Sequence, residues 1–128
     1  MDIVVDFDGT CVTHQFPSIG KEIGATPVLR ELVDAGHRLI LFTVRSNFKK
    51  NSNTLDDAVA WFRDRDIPLY GIQTHPEQRY WTSSPKAYGD LYIDDAALGC
   101  PLIIPGNNER PYVDWKTVRK LLAEGGLL

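Results

Sequence analysis

"IVVDFDGTCVTH", residues 3–14, is the stretch on which the reading of this chain turns. Ile3, Val4 and Val5 form a short, continuous β-branched run, the pattern of a strand buried on both faces. Two aspartates one residue apart, Asp6 and Asp8, then arrive where the chain must stop being buried, and Gly9-Thr10 follows at once. Two carboxylates that close repel each other. Neither is cheap to keep beside an apolar core unless something positive compensates.

Outward from this stretch the apolar runs alternate in type. Thr26-Pro27 reads as an N-cap followed by proline at the first helical position, and Val28, Leu29, Leu32 and Val33 follow at helical spacing up to Gly36. "RLILFT", 38–43, is a second continuous strand. Thr54, with Asp57 at the third position, caps a second helix whose stripe is Leu55, Ala58, Val59 and Phe62, and Pro68 closes it. "LYGIQ" at 69–73, "LYID" at 91–94 and "LII" at 102–104 read as three further strands. Asp114 starts a last helix with Trp115, Val118, Leu121 and Leu122 facing inward. Strands alternating with helices predict an α/β, Rossmann-like fold of three layers. Its central parallel sheet of about five strands has right-handed crossovers and helices on both faces. Two segments carry no predicted element, 11–25 and the aromatic stretch "THPEQRYWTSSP" at 74–85. Loops of that length usually carry function or are mobile.

With 128 residues there is room for one core, so 1–128 is read as a single domain. A formal net charge of −3 gives no electrostatic footprint for general nucleic-acid binding. Cys11 and Cys100 make neither a disulfide framework nor a zinc motif, so a reduced, cytoplasmic setting is the default. Met1-Asp2 leads straight into the first strand, and no signal peptide is expected. No apolar run approaches the ~20 residues of a membrane helix, so no membrane partner is expected.

In an open parallel sheet the site lies beyond the carboxyl ends of the strands. The first strand ends in Asp6-Phe7-Asp8, the second in Thr43 and the fourth in Asp94-Asp95, and Lys86 lies between the third and fourth. Four carboxylates, a hydroxyl and an ammonium are therefore expected on one rim. Several carboxylates together need a cation, and hard oxygen ligands at an aqueous rim suit Mg²⁺. A carboxylate also attacks phosphorus, and the transferred phosphoryl group needs a metal, a lysine and a hydroxyl donor around it. Each residue alone has a plainer reading, as a cap, a turn, a buried strand end or surface charge. Their joint placement at strand ends is what points to chemistry.

DFDGT, then a strand ending in Thr43, then Lys86, then LYIDD: this order resembles the haloacid dehalogenase superfamily of phosphohydrolases, with all four motifs present over residues 3–95. VVDFDGT matches the apolar-DxDxT pattern closely, and LYIDD is a good match to the fourth motif. The resemblance implies that Asp6 is the nucleophile that becomes an aspartyl phosphate. Asp8 would protonate the leaving alcohol and then activate water, with its backbone carbonyl on the Mg²⁺. Thr43 would hydrogen-bond a phosphoryl oxygen, and Lys86 would offset the charge of Asp6 and the phosphate. Asp94 and Asp95 would bind the metal. An acid two residues after the nucleophile favours phosphate ester chemistry over dehalogenation. Gly9 lets the backbone turn sharply and Thr10 braces that turn. Both belong with Arg45 and His14 to the expected substrate-binding edge. Arg45 is within reach of a second anionic group and His14 of a leaving group, against the plainer readings of a surface arginine and a loop histidine. Cys11 is read as a packed small residue.

Members of that superfamily often carry a cap domain. Here 11–25 leaves room only for a short turn and a small hairpin flap, so the chain resembles a capless member. An open rim does not exclude water. The expectation is a phosphorylated small-molecule substrate rather than a macromolecular one. Self-association, with Tyr80 and Trp81 at the contact, would finish the site. Two further readings stay open: a phosphotransferase that uses the same residues, and a phospho-acceptor or binding module without turnover. Against the second, receiver domains place their acidic pair first and the phosphorylated Asp on a later strand. A binding module that merely retains the fold would also have lost a key residue, and none is replaced here.

Overall fold

A computed structural model describes residues 1–128. Strand β1 (Asp2–Val5) is buried along its whole length and lies inside a four-stranded parallel sheet of order β3-β2-β1-β4. Ile3 faces Leu39 of β2 (Arg38–Leu41) on one side and Leu91 of β4 (Leu91–Ile93) on the other. Strand β3 (Gly71–Ile72) forms the far edge beside β2.

The three helices are α1 (Ala25–Asp34), α2 (Thr54–Asp64) and α3 (Trp115–Glu124). Their apolar stripes share one cluster with Ile3, Val5, Leu39 and Leu41. It includes Leu29 and Leu32 of α1, Trp61 and Phe62 of α2, and Val118 and Leu122 of α3. The alternate strand residues, Val4 and Ile40, pack on the other face against Ala87, with Phe42 and Tyr70 beside them. All three helices therefore gather on one face, which differs from the expected two helical layers.

The connection rule supplies the reason. β1 to β2 to β3 steps in one direction, so α1 and α2 cover one face. The return from β3 to β4 passes back over β2 and β1, and a right-handed crossover then runs over the opposite face. That crossover, 73–90, contains Pro76 and Pro85, and its helical content is a single turn at Gln78–Tyr80. Gln78 replaces the missing helix as a source of backbone partners. Its Oε1 accepts from the N–H of His75 and of Tyr88 (2.9 Å each), and its Nε2 donates to the carbonyls of Ser84 (3.1 Å) and Lys86 (3.0 Å).

The expected fifth strand also lies elsewhere. β5 (Leu102–Ile103) pairs antiparallel with β6 (Tyr112–Val113) in a separate two-stranded ribbon. Gly106, Asn107 and Asn108 at positive φ turn the chain between them, and closing so short a loop costs less entropy than reaching the central sheet. Helix α1 starts one residue before Thr26, with Gly24 at the N-cap. For α3 the structure agrees with the sequence, since Asp114 caps it by accepting from the N–H and hydroxyl of Thr117. No helix is long and apolar enough to cross a membrane.

Candidate active site

β1 leads on to β2 on one side and neighbours β4 on the other, so the strand order reverses between β1 and β4, the switch point where α/β sheets place their sites. Val5 pairs with Ile93, and the N–H of Asp6 donates to the Ile93 carbonyl (3.0 Å). Asp6 and Asp94 consequently leave the sheet side by side. Asp6, Asp94 and Asp95 each offer an oxygen, and these oxygens lie within 4.8 Å of one another. Thr10, fully buried, braces the group: its Oγ1 is 2.9 Å from Asp6 Oδ2 and 3.1 Å from Asp95 Oδ1, and it accepts the N–H of Asp95 (3.0 Å). One hydroxyl proton serves only one carboxylate at a time.

The cluster is electrostatically unbalanced. Burial, the adjoining Asp95 carboxyl and the Asp94 charge together push the Asp6 carboxyl up to about 8, against smaller opposing pulls from the Phe7 N–H and the Thr10 hydroxyl. Neither Asp6 nor Asp94 has an ion-pair partner. Three crowded carboxylates, two of them unpaired, form a donor set that fits a hard divalent cation bound through oxygen.

Asp8 stands in the opposite condition. Arg45 Nε and Nη2 donate to its two oxygens (2.8 Å each), and the guanidinium is itself buried. Removing one partner of a buried pair typically costs about 3–5 kcal/mol, because the other charge is left uncompensated. The Asp8 carboxylate thus lies outside the three-carboxylate group, and only its backbone carbonyl is left to serve a metal. Arg45 does not face a substrate as expected: all five of its N–H bonds end on protein oxygens.

Gly9 and Thr10 support the turn, and their carbonyls are taken by the Val113 N–H and Trp115 Nε1. Gly9 has φ +79°, and a Cβ there would fall 2.0 Å from His14 Nε2 and 2.6 Å from Asp95 Oδ2. Its missing side chain is the space in which His14 Nε2 meets Asp95 Oδ2 at 2.9 Å. Cys11 is buried, and burial pushes its thiol well above the ordinary range, with further contributions from Asp6 and Asp8. Thr43 is latched by Gln73, whose Oε1 accepts its N–H (2.9 Å) and whose Nε2 donates to its carbonyl (2.7 Å). The Thr43 hydroxyl oxygen accepts the N–H of Arg45 (3.1 Å). Lys86 makes no ion pair with Asp6 or any other carboxylate. Its ammonium stands 5.5 Å from the centre of the Tyr92 ring.

A pocket of about 440 Å³ opens over the cluster, lined by Asp6, Asp8, Asp94 and Asp95, by His14 and Phe16, and by Val44, Ala96 and Arg110. A larger groove of about 540 Å³ runs along α2 and β3, but its only charged residues are Arg63 and Asp66 and no reactive groups converge there. His14 and Phe16 come from the 11–25 segment, which folds as the expected hairpin. Val12 bridges Glu22, and the Thr13 N–H donates to the Lys21 carbonyl (3.0 Å). Tyr80 and Trp81 are exposed and line no part of the carboxylate pocket, so the chain's own flap partly closes the rim.

Sequence reasoning missed Arg110. It reaches the pocket because the Val113 N–H donates to the Gly9 carbonyl (2.9 Å) and Trp115 Nε1 donates to the Thr10 carbonyl (2.6 Å), stitching the C-terminal ribbon to the DGT turn. No spacing rule signals a contact between residues so far apart. Arg110 has no ion-pair partner.

No protein-family model and no curated protein matches the chain. A solved structure of a conserved protein from Bacteroides thetaiotaomicron is 37% identical and superposes with a TM-score of 0.76, over 98% of this chain and 91% of that one. The chain belongs to the same family as that protein. The relationship shows family and fold, and the chemistry rests on the site's own residues.

Proposed function

We propose that the chain is a magnesium-dependent phosphatase that hydrolyses a small phosphate monoester through an aspartyl phosphate on Asp6, in the manner of a capless haloacid dehalogenase superfamily member with a Rossmann-like core. The observation that carries this reading is the convergence of Asp6, Asp94 and Asp95 at the carboxyl ends of adjacent parallel strands, with neither Asp6 nor Asp94 in an ion pair. These three carboxylates and the Asp8 carbonyl would hold Mg²⁺, which when bound offsets phosphoryl charge and keeps Asp6 ionised. A carboxylate oxygen of Asp6 attacks phosphorus as the ester oxygen departs, and Asp8, once protonated from solvent on an oxygen released from one Arg45 bond, gives that oxygen its proton. Water then attacks the acyl phosphate, losing a proton to Asp8 and releasing inorganic phosphate and free Asp6. The Thr43 hydroxyl donates to a phosphoryl oxygen. Arg110, the unpaired cation lining the pocket, and Lys86 meet the remaining charge. The leaving alcohol lies on the His14 and Phe16 side.

A panel of phosphate monoesters incubated with Mg²⁺ tests the reading. Expected is phosphate release that excess chelator abolishes. No release from any ester, or equal release in chelator, overturns it. Capture of the phosphoryl group by an added alcohol would mark a phosphotransferase on the same site.

A further inference from the structure

By residue volume, Arg45 heads the fully buried side chains of the molecule. Nε and Nη2 hold the two oxygens of Asp8, Nη2 also donates to the Ser18 carbonyl (2.7 Å), and Nη1 donates to the carbonyls of Pro17 (3.1 Å) and Thr54 (3.4 Å). The guanidinium carbon lies 5.0 Å from the ring centre of Phe7 and 5.2 Å from that of Phe16. One planar group therefore binds the loop after β1, the flap and the start of α2 together. Apart from the His14–Asp95 contact, the hydrogen bonds that tie residues 14–19 to the rest of the protein all end on Arg45. Nη2 serves Asp8 and the Ser18 carbonyl at once, so a rotation that frees one disturbs the other. A lysine, with three donors on a compact head, cannot reproduce this fork.

We propose that Arg45 is a positioning residue that couples the flap to Asp8: its guanidinium fixes the Asp8 carboxylate in the pocket only while residues 13–21 are seated. The catalytic consequence rests on the phosphatase reading, whereas the coupling does not. With the flap seated, Phe16 and His14 border the leaving group and Asp8 is aimed at it. With the flap lifted, Arg45 loses two carbonyl partners and Asp8 loses its orientation. Esters of poorly leaving alcohols depend most on that aim, because their departure needs the proton.

Hydrogen exchange of backbone amides and steady-state kinetics test this together. Asp8→Asn presents an amide NH₂ to the guanidinium and breaks the fork. Exchange at the Thr13 and Lys21 amides, the two hydrogen-bonded amides of the flap, is expected to rise about tenfold or more, with β1 unchanged. Arg45→Lys is expected to lower kcat for an alkyl phosphate by roughly a hundredfold and for p-nitrophenyl phosphate by about tenfold or less, with KM within about threefold. Unchanged flap exchange in Asp8→Asn overturns the coupling. Equal kcat losses on the two esters, or a change in KM alone, overturn the positioning role. If Arg45→Lys fails to fold by circular dichroism, the Asp8→Asn exchange decides. If the wild-type protein hydrolyses no ester, the phosphatase reading falls and the same exchange measurement still decides the coupling.

Discussion

Asp2 and Asp6 mark the two ends of one strand and stand in opposite electrostatic conditions. Arg38 grips Asp2 with two bonds (2.7 and 3.0 Å) and His75 Nε2 adds a third contact at 2.8 Å, so the Asp2 carboxyl is held below the usual range by Arg38 and then His75, against burial. Asp6 has carboxylates where Asp2 has a guanidinium and an imidazole, and its carboxyl is pushed up to about 8. Asp8 repeats the balanced condition within the site. The amino end of the sheet is thus complete in itself, and the carboxyl end has an imbalance placed on one residue. In a chain with 14 lysines and arginines, that imbalance is not for want of positive charge.

The strongest test of this contrast is Asp6→Asn. Phosphatase activity should fall below about one-thousandth, as expected for loss of a nucleophile. The metal-free protein should melt higher than wild type near neutral pH, because folding no longer has to protonate residue 6. A variant that keeps near wild-type turnover would remove Asp6 from the mechanism. Asp2→Asn should do the reverse, leaving kcat alone and lowering stability by roughly 1–3 kcal/mol, the low side for a broken buried pair because Arg38 is half exposed. Chemical denaturation reads this directly, and an unchanged midpoint would erase the difference between the two ends.

The pH dependence sharpens the comparison. Asp6 in the folded, metal-free protein holds its proton up to about pH 8, whereas in the unfolded chain it releases it near its model value of 3.8. Between these limits the native state binds more protons, so stability falls as pH rises. The lowered Asp2 carboxyl acts in the opposite sense and only at the acid end: its contribution is present above the unfolded value and is lost as pH falls through the folded one. The metal-free melting temperature should therefore decline from pH 5 to pH 8, and Mg²⁺ should raise it more at pH 8 than at pH 5. A flat difference across that range would contradict the unpaired state of Asp6. The smallest expected effect is that of Arg110→Gln: about a tenfold higher KM for the ester and equally weaker inhibition by inorganic phosphate, the loss of one charge-assisted bond. Steady-state kinetics check it, and an unchanged KM would remove Arg110 from the substrate.

The placement of Asp6, Thr43 and Asp94-Asp95 at strand ends was legible because continuous β-branched runs announce parallel strands, and parallel strands align their carboxyl ends. The hairpin at 11–25 followed from its length. The partner of Arg45 was not legible, since an arginine two residues after a strand-end threonine reads the same whether it meets a substrate or a buried carboxylate. Leu102-Ile103 looks alike paired in a ribbon or in the main sheet, and only the turn at Gly106–Asn108 separates the two. The stretch 74–85 carried no predicted element, and Pro76 and Pro85 do keep it from forming more than one helical turn. Gln78 satisfies the backbone there by side-chain bonds that no periodicity encodes.

The stitches from Val113 to Gly9 and from Trp115 to Thr10 carry a consequence for the order of synthesis. A chain emerging from the ribosome just past β4 already holds Asp6, Thr43, Lys86, Asp94 and Asp95, with Thr10 bonded to Asp6 and Asp95, yet the turn after Asp6 still lacks its two C-terminal braces. Contacts between residues this distant in the chain form only after the entropy of closing the long loop has been met. The turn beside Asp6 thus waits through most of translation for its last two hydrogen bonds, which form when the C-terminal ribbon and α3 dock.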